Sequence, residues 1–106
     1  KRSFNNNLIA DFASYLRLER SLSLNSINAY CSDISKLIVF LETSPDNGGI
    51  FSPESATPQV LSTFIATQHS KNLSKRSQSR LISSLKAFFR FLELEGRIKE
   101  SPAEML

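Results

Sequence analysis

"SKRSQSRLISSLKAFFRFLE", residues 74–93, describes one helix with two unlike faces. Leu81, Ile82, Leu85, Phe88, Phe89 and Leu92 recur at the three- and four-residue steps that line one side of an α-helix. Around them stand Lys75, Arg76, Arg80, Lys86 and Arg90, and the first acid is Glu93. Such a period excludes a strand, so the stretch predicts an all-α fold and poses a question of charge.

The same pattern occurs earlier. "LSLNSINAYCSDISKLIVFLE" (22–42) aligns with "LSKRSQSRLISSLKAFFRFLE" (73–93) at one constant offset. The opening Leu-Ser, Ser26 with Ser77 and the closing Phe-Leu-Glu coincide. So do the apolar positions Tyr30 with Leu81, Ile34 with Leu85 and Leu37 with Phe88. Two long helices of equivalent role are expected. One covers about 24–43 behind an N-cap at Ser23, with Ile27, Tyr30, Cys31, Ile34, Leu37, Ile38 and Leu41 inward. The other follows the cap Ser74 and stops at Gly96-Arg97.

A shorter helix precedes each. Residues 5–20 place Leu8, Phe12, Tyr15 and Leu16 on one face, and "SLS" at 21–23 is a tight connection. Thr57-Pro58 is a cap-plus-proline start for a helix over 58–70, with Val60, Leu61, Phe64 and Ile65 inward. "SPDNGGIFSPESATP" (44–58) has the composition of a loop, which Ile50 and Phe51 are expected to pin to the bundle. The chain therefore reads as two helical hairpins.

At 106 residues, one domain over 1–106 is expected. Net charge is only +3, but six basic residues and no acid lie between Lys71 and Arg90. Cys31 is the only cysteine and His69 the only histidine, which excludes disulfide frameworks and the usual zinc ligand sets. "LIVFL" at 37–41 is too short to span a bilayer and no signal peptide is visible, so a reducing cytoplasm fits. Tyr15, Tyr30 and Cys31 fall on core faces and His69 at an exposed helix end. Asp33 is placed near the surface of the second helix and Asp11 on the first, without forming a dyad. No glycine-rich phosphate loop occurs. The chain by itself is read as no enzyme, with no cofactor, metal or small-molecule ligand.

Rotation at about 100° per residue puts Arg76, Ser79, Arg80, Ser83 and Ala87 opposite the greasy face of the fourth helix. The matching positions on the second are Asn25, Asn28, Ala29, Ser32 and Lys36. Arg, Lys, Asn and Ser are the donors that meet phosphate oxygens and base edges in the major groove. Surface helices normally mix charges for i,i+4 pairs. Here the like charges repel with no return expected inside the domain, which asks for an external anion. Pattern alone leaves three readings open: a solvated face, a nucleic-acid surface, or a helical adaptor whose basic face docks on an acidic protein. Of Phe88, Phe89 and Phe91, two are expected to point inward. Phe40 and Phe91 lie off the main apolar arcs, with core-edge packing preferred over a contact between protomers.

Taken in order, these pieces resemble the N-terminal core-binding domain of tyrosine recombinases, of the Xer type and related integrases. The first piece is Glu19-Arg20, Leu22-Ser23, Asn25-Ser26-Ile27, Ala29-Tyr30 and Asp33-Ile34. The second is Ser77, Arg80, Ile82-Ser83, Leu85-Lys86, Phe88-Phe89 and Phe91-Leu92. Gly96-Arg97-Ile98 and Pro102 to Leu106 complete the likeness, and only the loop at 44–57 is longer than usual.

The resemblance implies a SAM-like four-helix bundle of two crossed helical hairpins on one side of a recombination half-site. Its second and fourth helices would lie against the major groove of double-stranded DNA. The implied contacts are Asn25, Asn28, Ser32, Lys36, Lys75, Arg76, Ser79, Arg80 and Ser83. Lys36, Lys75 and Arg76 would hold phosphates, and Arg80 with Asn25 or Asn28 would read base edges. The catalytic residues, including a nucleophilic tyrosine, would belong to a second domain after Leu106, joined by a linker starting near 99–106. No metal or nucleotide cofactor is implied, and other recombinase protomers would be partners in a tetrameric synapse. The implied setting is cytoplasmic, on the nucleoid when DNA-bound.

Overall fold

The starts of three of the four helices are set by a capping side chain. A computed structural model describes residues 2–49 and 52–106, with side chains from Leu8 onward. The helices are α1 (Arg2–Leu18), α2 (Leu24–Thr43), α3 (Pro58–His69) and α4 (Lys75–Leu94), with a single 3-10 turn at Pro53–Ser55. No strand occurs among the described residues. The fold is the all-α four-helix bundle expected.

Ser23 and Ser74 cap the long helices, each accepting a hydrogen bond from the backbone N–H three residues on, at 3.2 and 3.1 Å. In each cap the serine hydroxyl also donates to a second hydroxyl, Ser26 or Ser77. Thr57 caps α3 in the same way, ahead of Pro58. α4 closes at Gly96, whose left-handed φ of 74° lets the Arg97 N–H return to the Leu92 carbonyl at 3.0 Å. α1 stops at Leu18, short of the expected 20. Ser21 turns left-handed at φ 54°, and the Leu22 N–H reaches back to the Leu16 carbonyl.

The repeat seen in the sequence is also a repeat of backbone. α2 and α4 are both 20 residues long, and their caps stand 51 positions apart (Ser23 against Ser74). The left-handed residues before those caps, Ser21 and Asn72, keep the same offset. Each hairpin therefore turns its corner with the same device.

All four helices contribute to one core. Phe12 meets Phe88 edge-on at 5.1 Å and lies 5.7 Å from Phe91, while Phe40 packs on Phe64 at 5.3 Å. Phe40 and Phe91 are buried, which matches the preferred core-packing reading. Two expectations need correcting. Phe88, Phe89 and Phe91 all point inward, not two of the three, and Ala87 is buried instead of lying opposite the greasy face. The reason is geometric. α4 packs against both α2 and α1, so Arg80, Ser84, Ala87 and Phe91 form a second covered stripe at i, i+4, i+7 and i+11.

In the long loop, buried Asn47 donates to the Leu41 carbonyl at 2.7 Å and accepts from the Gly49 N–H at 2.8 Å. The pinning expected of Ile50 and Phe51 lies outside the described residues. Arg97 meets Glu54 at 2.9 Å, tying the 3-10 turn to the segment after α4. That segment folds back onto the bundle, with Ala103 fully buried and Ile98 and Leu106 packed against the core.

Candidate nucleic-acid interface

Asn25, Asn28, Ser32 and Lys36 are exposed on α2, and Lys75, Arg76, Ser79 and Ser83 are exposed on α4. Lys36, Lys75 and Arg76 make no ion pair among the described residues. α2 and α4 are packed neighbours, so these side chains belong to adjoining faces. Ala29, between Asn25 and Asp33, is half-buried and leaves that part of the α2 surface low.

Arg80 departs from the expected pattern. Its Nε donates to Asp33 Oδ2 and its Nη2 to Asp33 Oδ1, both at 2.9 Å. The Ser84 hydroxyl donates to Asp33 Oδ2 at 2.8 Å. Asp33 is 1% exposed and Ser84 fully buried, whereas 34% of the Arg80 side chain remains exposed. Asp33 is thus a buried anchor and not the near-surface residue expected. Arg80 is tethered, not standing free opposite the core. One charge of α4 has its counter-ion inside the domain after all, supplied by another helix 47 residues away in sequence.

A buried carboxylate is costly unless both oxygens are hydrogen-bonded, and here they accept three bonds. The hydrogen bond to Asp33 holds the Arg80 guanidinium above its already high pKa, against the opposing effect of burial, so it stays charged. Farther along α4, Arg90 lies 3.5 Å from Glu93 on the exposed surface, where such a pair contributes little.

The start of α4 carries the sharper electrostatic signal. A helix N-terminus bears a partial positive charge and favours acids in its first turn. α4 has none there, and instead presents Lys75 and Arg76. α2 likewise opens without an acid. Two cations at the positive end of a dipole are unfavourable in isolation, and an anion placed against them reverses the sign. Beside this face, Ser32, Ser35 and Lys36 of α2 and Thr67, Gln68 and Lys71 at the end of α3 line an open groove of about 440 Å³.

Among the described residues no group of three or more His, Cys, Asp or Glu could hold a metal ion. Cys31 is half-buried and burial raises its pKa, which keeps it a thiol. Among the described residues no helix is long and apolar enough to cross a membrane.

Residues 9–96 match the family described as phage integrase, N-terminal SAM-like domain. The chain is 29% identical over 106 residues to the tyrosine recombinase XerC of Xanthomonas axonopodis pv. citri, covering 92% of this chain and 34% of that protein. It is 32% identical to the tyrosine recombinase XerD of Listeria monocytogenes serotype 4b, covering 92% of this chain and 32% of the relative. A XerC of Leptospira interrogans serovar copenhageni is 35% identical over 95 residues, which is 90% of this chain and 29% of the relative. The chain thus spans about a third of the length of the curated relatives it matches. No solved structure matches it significantly. With the family match running from α1 to the glycine that closes α4, this chain belongs to the SAM-like N-terminal domains of the phage integrase family.

Proposed function

We propose that this chain binds double-stranded DNA across the joint α2–α4 face, as the non-catalytic N-terminal domain of a site-specific tyrosine recombinase. The observation that carries the reading is the set of exposed, unpaired cations Lys36, Lys75 and Arg76, two of them at the N-terminus of α4. They would hold phosphates. Asn25, Asn28, Ser32, Ser79 and Ser83 are short donors and acceptors on the same faces, suited to sugar, phosphate and base-edge contacts once the helices sit in the major groove. Half-buried Ala29 permits close approach.

In this proposal a second domain, joined by a linker that starts near 99–106, supplies the tyrosine that attacks the DNA phosphodiester. The present domain positions the duplex, closes a clamp with that second domain and helps assemble the tetrameric synapse. It needs no metal or nucleotide cofactor and works where the chromosome is, in the cytoplasm.

The test is binding of a fluorescent duplex at several salt concentrations, for the chain and for a Lys75→Ala, Arg76→Ala variant. Three phosphate contacts give a slope of log K against log[salt] of about −2.7, at roughly −0.9 per contact. Removing two cations leaves a slope of about −0.9. Absent binding at low salt, or an unchanged slope in the variant, overturns the proposal and leaves a docking face for an acidic protein.

A further inference from the structure

The cations of the candidate face are of two kinds. Lys36, Lys75 and Arg76 are exposed and unheld, whereas Arg80 is fixed by Asp33, and Asp33 by Ser84. We infer that Asp33 and Ser84 are positioning residues that hold Arg80 as a pre-set reader of a guanine edge, an inference that rests on the DNA-binding reading above.

A guanidinium has five N–H bonds in a planar fork. Asp33 takes two, one on Nε and one on Nη2. Three remain, two on Nη1 and one on Nη2, and the end-on edge they form matches the paired O6 and N7 acceptors of guanine in the major groove. The tether uses the edge nearer the backbone and leaves the far edge for a ligand. A third of the Arg80 side chain stays exposed, and no other hydrogen bond or ion pair is made by the far edge among the described residues.

An unheld arginine gives up several rotatable bonds on binding, which weakens and blurs its choice of partner. Arg80 has already given them up in folding. Position supports the assignment: Arg80 follows Arg76 by one helical turn on α4, and its anchor Asp33 lies between Ala29 and Lys36 on α2. Ser84 makes the device selective. Its hydroxyl occupies Oδ2 beside the Arg80 Nε bond, so the carboxylate cannot rotate without losing a partner.

The sign of charge separates this from simple attraction. Asp33→Asn removes a negative charge from a domain facing a polyanion, so attraction alone predicts tighter binding to every duplex. Loss of positioning predicts the opposite for the preferred sequence only. Duplexes selected by the chain from a random pool would be compared with scrambled duplexes and with selected duplexes carrying 7-deazaguanine, which lacks N7 but pairs normally.

In Asp33→Asn the preference for the selected duplex should fall about tenfold or more, with scrambled binding unchanged or tighter. Arg80→Lys keeps the charge without the fork and should show the same loss. Ser84→Ala keeps every charge and should lose a smaller part. Thermal melts by circular dichroism establish that each variant is folded. If Asp33→Asn does not fold, Arg80→Lys and Ser84→Ala decide the matter.

Retained preference in the folded variants, or equal binding of the guanine and 7-deazaguanine duplexes, overturns the inference. So does a chain that binds all duplexes alike, which leaves the DNA reading intact. A chain that binds no duplex overturns the DNA reading itself.

Discussion

Replacing Ser23 and Ser74 by alanine, singly and together, tests whether the two hairpins are physically equivalent. Each serine satisfies one otherwise unpaired N–H in the first turn of a 20-residue helix, at 3.2 Å in α2 and 3.1 Å in α4. Both caps are exposed, so alanine hands that N–H to water instead of burying it unpaired. The expected cost is about 1 kcal/mol per cap, in the usual range of roughly 0.5–2. For a domain of this size that lowers Tm by about 4–8 °C.

The α4 cap should cost a few tenths of a kcal/mol more. Lys75 and Arg76 already oppose the dipole there, while the first turn of α2 is neutral. The two caps share no hydrogen-bond partner, so the double variant should equal the sum within about 0.5 kcal/mol. Urea unfolding followed by far-UV circular dichroism measures all three variants. Should one cap prove silent, or the two differ by more than about 1 kcal/mol, the equivalence of the hairpins fails at the corner where it is most exact in geometry.

Three further substitutions or reactions check other parts of the fold. Phe88→Ala empties the centre of the aromatic cluster with Phe12 and Phe89, and calorimetry should show a loss of about 3–5 kcal/mol, large against a typical total of roughly 5–15. Asn47→Ala orphans the Leu41 carbonyl and the Gly49 N–H, and urea melts should shift by about 1–3 kcal/mol. Burial raises the Cys31 pKa, which lowers its thiolate fraction at any given pH. Its alkylation near pH 8 should therefore run slower than that of free cysteine and reach the free rate in denaturant.

Caps and apolar spacing are properties of neighbouring residues, which is why α2, α3 and α4 were legible to within a residue. α1 was expected over 5–20 and runs Arg2–Leu18, its start displaced because Asn5, Asn6 and Asn7 supply no apolar periodicity ahead of Leu8. The candidate face was equally legible wherever exposure depends on one helix alone, as at Asn25, Asn28, Lys75 and Arg76. The helical wheel missed the burial of Ala87 and the tether on Arg80, because it assumes one neighbour whereas α4 packs on both α2 and α1. A local sign of the buried pair was nonetheless present. Asp33 stands three residues after Tyr30, one before Ile34 and four before Leu37, inside the apolar arc of α2. A carboxylate at such a position must have a cation across the interface, and Arg80 is the partner that the fold brings to it.

Net charge understates what a polyanion would meet at this surface. A groove beside the far end of α4 is lined by Asp11, Glu19 and Glu95, together with Tyr15, Leu18 and Phe91. Lys75 and Arg76 open the same helix, and 20 residues at 1.5 Å each put about 30 Å between its ends. The Debye length at physiological salt is about 8 Å, so the acids at one end hardly screen the cations at the other. Asp33, the acid nearest the α2–α4 face in sequence, is buried and spent on Arg80. A modest overall excess of +3 is therefore compatible with a locally cationic start of α4, far from the acids of that groove. Under the DNA-binding proposal, a duplex approaching the start of α4 would meet Lys75 and Arg76 with those acids about 30 Å away, so the local charge and not the net charge would set the attraction.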